Sequence, residues 1–74
     1  MAYSEEFKKL VEEMQEKPIE DLIQLTELDA REGIDAYHRH EYKKPNIRSQ
    51  AADVVLSQKG YWWNHESLKW LKSQ

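Results

Sequence analysis

Apolar positions recur along this chain at helical spacing. Phe7, Leu10, Val11 and Met14 stand at i, i+3, i+4 and i+7, with Glu12, Glu13 and Glu16 on the opposite side. Ser4 is placed to cap this helix, and Glu5 and Glu6 fall in its electropositive first turn. Pro18 ends it, because the residue before a proline is pushed out of the helical region, and suits the first turn of the next helix. Ile19, Leu22, Ile23, Leu25 and Leu28 then form a wider apolar arc, which asks for two packing partners. Gly33 is read as the C-terminal cap of this second helix.

A short third helix is expected over residues 34–42, with Ile34, Tyr37 and Glu41 in line, and Lys43-Lys44-Pro45-Asn46 is a loop. Asn46 can cap a fourth helix whose face is Ile47, Ala51, Val54, Val55 and Gln58, stopped by Gly60. The last stretch, Tyr61 to Leu71, holds all three tryptophans. Asn64 reads as the cap of a final helix, with Trp63 and Leu68 spaced as a hydrophobic staple and Lys69 and Lys72 near its electronegative end. Nothing alternates with a period of two over a useful length. The expectation is therefore an all-α fold: one domain over residues 1–74, four or five short helices in a small bundle, its core built on the aromatic stretch. Phe7, Leu10, Leu22, Ile23, Val54, Val55, Leu68 and one or two tryptophans should be buried together.

Composition narrows the functional classes. There is no cysteine among the 74 residues, hence no disulfide and no thiolate site. No apolar run is long enough to cross a membrane, and the segment Met1 to Glu6 is acidic where a signal peptide is basic and then apolar, so a cytoplasmic location is expected. A chain this short buries little alone, which favours a homodimer. Trp62 and Trp63 are adjacent and on a helix would diverge by about 100°, so at least one ring should face outward. Leu25, Trp62, Trp63 and Trp70 are accordingly the candidates for self-association or for anchoring a partner.

Charge is divided unevenly. Residues 1–35 carry eleven acids and four bases, and residues 36–74 carry three acids and seven bases. The first part is thus −7 and the second +4, within a net charge of −3. Such a split steers association with charged partners, or draws the two halves of the fold together. Glu12, Glu13, Glu16, Glu20, Asp21, Glu27, Asp29 and Glu32 can present spaced negative charge in the manner of a phosphate backbone. Conversely, Arg39, Lys43, Lys44 and Arg48, interleaved with Tyr37, His38, His40 and Tyr42, can hold a nucleic-acid backbone while rings stack on bases. The overall acidity weighs against that alternative, since such affinity comes mainly from neutralising phosphates.

His38, Arg39, His40 and Glu41 include metal-ligand types, but two neighbouring ligands do not make a structural zinc site, which takes four. No nucleophile, base and oxyanion donor stand in a recognisable arrangement, so neither catalysis, nor a metal, nor a cofactor is expected. Gln24-Leu25-Thr26-Glu27-Leu28 partly resembles the glutamine-leucine pentapeptide by which bacterial proteins dock on the sliding clamp, without its final aromatic. In class and charge, though not in sequence, the chain resembles bacteriophage host-takeover proteins and anti-repressor-like DNA mimics. These features together lead to an expected non-catalytic inhibitor or regulator. Its acidic face would occupy the basic, DNA-binding surface of a larger DNA-processing protein, such as a sliding clamp. The alternatives are a small nucleic-acid-binding regulator using residues 37–48 and a structural assembly subunit.

Overall fold

A computed structural model describes residues 4–73; Met1, Ala2 and Tyr3 of the acidic N-terminal segment lie outside the described residues, as does Gln74. The order of elements is α1 (Glu5–Gln15), α2 (Ile19–His38), α3 (Ile47–Gln58), β1 (Tyr61–Asn64) and β2 (Lys69–Lys72). Three helices and a two-stranded antiparallel hairpin make this a small α+β domain, which corrects the all-α expectation of four or five helices.

The first helix forms as its pattern predicts. The Ser4 hydroxyl accepts from the Phe7 amide at 3.1 Å, and Phe7 and Met14 are buried. Pro18 stands at the N-cap of α2, where its carbonyl takes the amides of Asp21 and Leu22. α2 runs through Gly33 without a break and ends at His38, so the expected cap and separate third helix are both replaced by one twenty-residue helix. A glycine lowers helix propensity by only about 1 kcal/mol, which the packing of a long helix outweighs. The chain stops at Arg39 and His40 instead, with His40 in the left-handed region at φ 58°. Glu41 lies past that stop, so His38 and Glu41 do not share a helix face.

α3 is the centre of the molecule. α1 and α2 both pack chiefly on it, and the hairpin packs on its end. Asn46 caps it, its side chain accepting from the Arg48 and Ser49 amides. The buried residues of α3 are Ser49, Ala51, Ala52, Val55 and Leu56, an arc rotated away from the expected Ile47–Val54–Gln58 line. Two adjacent alanines let two helix backbones approach from different sides. The core is Phe7, Met14, Leu22, Ala51, Ala52, Val55 and Leu56; Leu10, Ile23 and Val54 close its margins only partly buried. The aromatic stretch is therefore not the foundation of the core, and Leu68 sits in a turn outside it.

Gly60, at φ 91°, turns the chain out of α3 and into β1, a conformation that side-chain-bearing residues avoid. Tyr, Trp and Trp are strong strand formers, and here they pair. The register sets Tyr61 opposite Lys72, Trp62 opposite Leu71, Trp63 opposite Trp70 and Asn64 opposite Lys69. Asn64 does cap a turn: its side chain accepts from the Glu66 and Ser67 amides, as at a helix start. The turn does not propagate. Leu68 adopts φ 56°, its amide bonds the Asn64 carbonyl at 2.8 Å, and the chain returns as β2.

Candidate functional site

Strand alternation gives the hairpin two faces. Tyr61, Trp63, Trp70 and Lys72 share one; Trp62 and Leu71 share the other. Trp70 and Tyr61 pack against the core, whereas Trp62 is 48% exposed. One ring does face outward, through the 180° alternation of a strand instead of the rotation of a helix. The inner face is fixed to α2 by a polar contact: the Trp70 indole Nε1–H donates to the Thr26 hydroxyl at 2.6 Å. Thr26 is buried, and its hydroxyl donates in turn to a carbonyl one turn back, with Leu22 and Ile23 both within reach at 2.9 and 3.0 Å. Trp63 meets Trp70 edge to face, ring centres 5.5 Å apart.

Between α2, α3 and this inner face lies a cleft of about 390 Å³. α2 contributes Thr26 and Asp29, one helical turn apart. α3 contributes Ser49, Asp53 and Ser57 at intervals of four, so the three line one side. Trp63, Trp70 and His65 close it from the hairpin. Lys43 reaches back from the α2–α3 loop and pairs its ammonium with Asp29. Asp53 has no such partner among the described residues. Burial on the cleft side, and then the negative charge of Asp29, raise its pKa from 3.8 to about 6, although its other side remains open to water.

The basic segment is largely neutralised within the fold. Arg48 donates to Glu13 of α1 at 3.2 Å, Lys43 holds Asp29, and Arg39 holds Glu41 at 3.2 Å. Of the four candidate nucleic-acid contacts, only Lys44 makes no ion pair among the described residues. Two of the eight candidate acids, Glu13 and Asp29, are engaged by the same pairs. Glu12 is exposed on α1 and Glu16 at its C-cap, while Glu20, Asp21 and Glu32 are exposed on α2 with Asp35 beside them; Glu27 is half-buried.

The outer face of α2 carries one further feature. Asp21, Leu25, Leu28, Glu32 and Asp35 follow at helical spacing and fall on one stripe. Leu25 is half-buried and leans on the core, but Leu28 is 56% exposed in the middle of the acids. The pentapeptide Gln24–Leu28 lies wholly within α2, with Thr26 sealed against Trp70, so it is not available as an extended segment while α2 is folded.

Sequence reasoning missed the cleft residues Ser49, Asp53, Ser57 and His65. The signal was present in part: Ser49, Asp53 and Ser57 form a polar line along a helix otherwise rich in small and apolar residues. His65 enters only because the last segment folds back as a hairpin. No described helix is long and apolar enough to cross a membrane. No family model, curated protein or solved structure matches this chain.

Proposed function

We propose that this chain is a non-catalytic protein-binding regulator that lays the outer face of α2 on a basic surface of a larger protein. The partner surface is of the kind that otherwise holds nucleic acid. One observation carries the reading: the bases of residues 39–48 are mostly matched by acids of the fold, whereas the acids of α2 other than Asp29 are not. Glu20, Asp21, Glu32 and Asp35 make no ion pair among the described residues, and Asp21, Glu32 and Asp35 share the stripe of the exposed Leu28.

Magnitudes divide the work between charge and contact. Five acids, Glu20, Asp21, Glu27, Glu32 and Asp35, are spread over α2 at about 1.5 Å rise per residue, or roughly one charge per 5 Å. Duplex DNA carries one charge per ~1.7 Å, so the helix is a sparse copy of it. Charge at that density steers encounter and selects a basic partner. Leu28 supplies the anchor, since covering its exposed half is worth on the order of 1–1.5 kcal/mol. In class the chain resembles host-takeover proteins of bacteriophages, which makes replication and transcription proteins the first partners to test.

The test uses a triple variant, Asp21→Lys, Glu32→Lys and Asp35→Lys, beside Glu12→Lys/Glu16→Lys as a control on α1. Affinity purification from the native host should recover a protein with the wild type and the control, and lose it with the triple variant at unchanged far-ultraviolet circular dichroism. Recovery of the same protein by the triple variant, or of nucleic acid alone, overturns the reading. A salt-sensitive mobility shift of labelled DNA would favour the nucleic-acid alternative instead.

A further inference from the structure

We propose that the cleft between α2, α3 and the hairpin binds a compact organic cation, an alkylammonium or guanidinium group, held by Asp53 and Ser49 against the rings of Trp63 and Trp70. This site is separate from the acidic stripe, because the cleft faces inward from α2 and the stripe faces outward.

Two carboxylates line the cleft and one ammonium, Lys43, answers them. Lys43 sits on Asp29 and leaves Asp53 without a cation. The hydrogen-bond count points the same way. Ser49 is 3% exposed, and its hydroxyl makes no hydrogen bond among the described residues, yet it is not sealed off from solvent and it lines the cleft. A hydroxyl that opens onto a cleft is free to accept a hydrogen bond from a donor that enters it. Ser57 and His65 stand at the exposed rim of the same space.

The walls select the chemistry. An anion would meet two carboxylates. A hard metal ion takes six or more oxygen ligands, and no cluster of three or more histidine, aspartate or glutamate side chains suited to a metal occurs among the described residues. An organic cation suits both features: its N–H groups donate to Asp53 and Ser49, and its charge lies against indole rings, whose faces are electronegative. The volume, about 390 Å³, lies within the range of small-ligand sites and far exceeds one ammonium. Lys43 already demonstrates the recognition at Asp29. The raised pKa of Asp53 agrees, since it is the state of a half-desolvated carboxylate with no counter-charge.

The cation has two possible sources, a free amine or a lysine or arginine side chain of a protein, and the experiment separates them. The 74-residue chain, labelled with nitrogen-15, is titrated with n-butylammonium, agmatine, the blocked peptides Ala-Lys-Ala and Ala-Arg-Ala, and n-butanol as a neutral counterpart. The indole N–H signals of Trp63 and Trp70 should shift and saturate with the cations, and about tenfold more weakly or not at all with butanol. Asp53→Asn should weaken cation binding by about tenfold or more, whereas Trp62→Ala, on the outer face, should leave it unchanged. Tighter binding of the peptides assigns the cation to a protein partner, and tighter binding of the amines assigns it to a small molecule; either supports the site. Saturation by butanol at the same concentration, equal binding by Asp53→Asn, or shifts that never saturate with any cation would overturn it. The butanol comparison needs no variant, so a folding defect cannot obscure the answer.

Discussion

α3 and the hairpin are neighbours in sequence and opposites in construction. α3 has no aromatic residue and buries Ala51, Ala52, Val55 and Leu56 between two helices. The hairpin has three tryptophans and a tyrosine, and none of them is fully buried. Apolar content and position in the core have come apart. A core centre is where backbones approach most closely, and only small or well-fitted side chains go there. Large rings need room, and here they find it at the margin, where one edge packs and the other faces a cleft or solvent. The richest stretch of a sequence in apolar area is thus a guide to recognition surfaces as much as to the core.

The largest expected effect breaks the comparison if it fails. Leu56→Ala should destabilise the protein by about 2–5 kcal/mol, because Leu56 is fully buried and its neighbours on two sides cannot both collapse into the space. A chain of this length has only about 4–11 kcal/mol in total, so the melting temperature should fall steeply. Trp62→Ala removes a far larger side chain yet should cost less, about 1–2 kcal/mol, since nearly half of it already faces water and the rest covers only the margin. Thermal melts of the two variants by circular dichroism measure both. Equal losses would mean that the hairpin is as central as α3.

The second test concerns how the hairpin is held. Thr26→Val keeps the shape of the side chain but removes the acceptor of the Trp70 indole. Leaving a partly buried donor unpaired costs about 1–3 kcal/mol. The loss should fall mainly on the hairpin: the near-ultraviolet tryptophan signal and the Trp70 indole resonance should change while helical ellipticity at low temperature is kept. A cooperative loss of both together would show that the hairpin and helices form one unit.

How much of this fold is legible in the sequence depends on the kind of signal each element carries. α1 is written in full, cap and stripe, because an isolated amphipathic helix is a local pattern. α2 is legible except for its length, since a lone glycine weakens a helix without ending it. Asn64 is legible as an asparagine cap. The same two amide contacts serve one turn of helix or the bend of a hairpin, and pairing between residues 61–64 and 69–72 decides between them. Pairing is not visible in either four-residue segment alone, because strands so short give alternation no length in which to show. The cleft inherits that blindness: its α2 and α3 walls lie on periodic lines, but its third wall exists only once the chain has turned back at Leu68.

A smaller effect tests the cleft itself. The folded pKa of Asp53, about 6, lies above its ordinary 3.8. The folded state therefore keeps this proton longer than the unfolded state, and the contribution of Asp53 to stability declines as pH rises from about 4 to about 6. Above that window the charged carboxylate works against the fold. Because one side of Asp53 is solvated and screened, the effect is discounted to about 1 kcal/mol. Asp53→Asn should match the wild type near pH 4 and exceed it above pH 6, as read from urea melts across that range. A stability difference that is flat with pH would remove the charge strain assigned to the cleft. A saturating organic cation should shrink the difference at pH 7 by stabilising the wild type more than the variant.

The smallest expected change discriminates by its nearness to zero. Leu68 holds φ 56°, a conformation that disfavours a residue with a side chain by about 1–2 kcal/mol. Replacing it with glycine relieves that strain. The same change loosens the unfolded chain by about 0.4–1 kcal/mol and gives up the partial burial of the leucine, about 1 kcal/mol. In the hairpin these terms nearly cancel, so Leu68→Gly should lie within about 0.5 kcal/mol of the wild type. On a final helix beginning at Asn64, Leu68 would be an inward staple residue, and glycine there would forfeit about 1 kcal/mol of helix propensity on top of the lost contact. Nothing would offset that loss. A urea midpoint close to the wild type therefore supports the left-handed turn at Leu68, and a clear drop would restore the helix in its place.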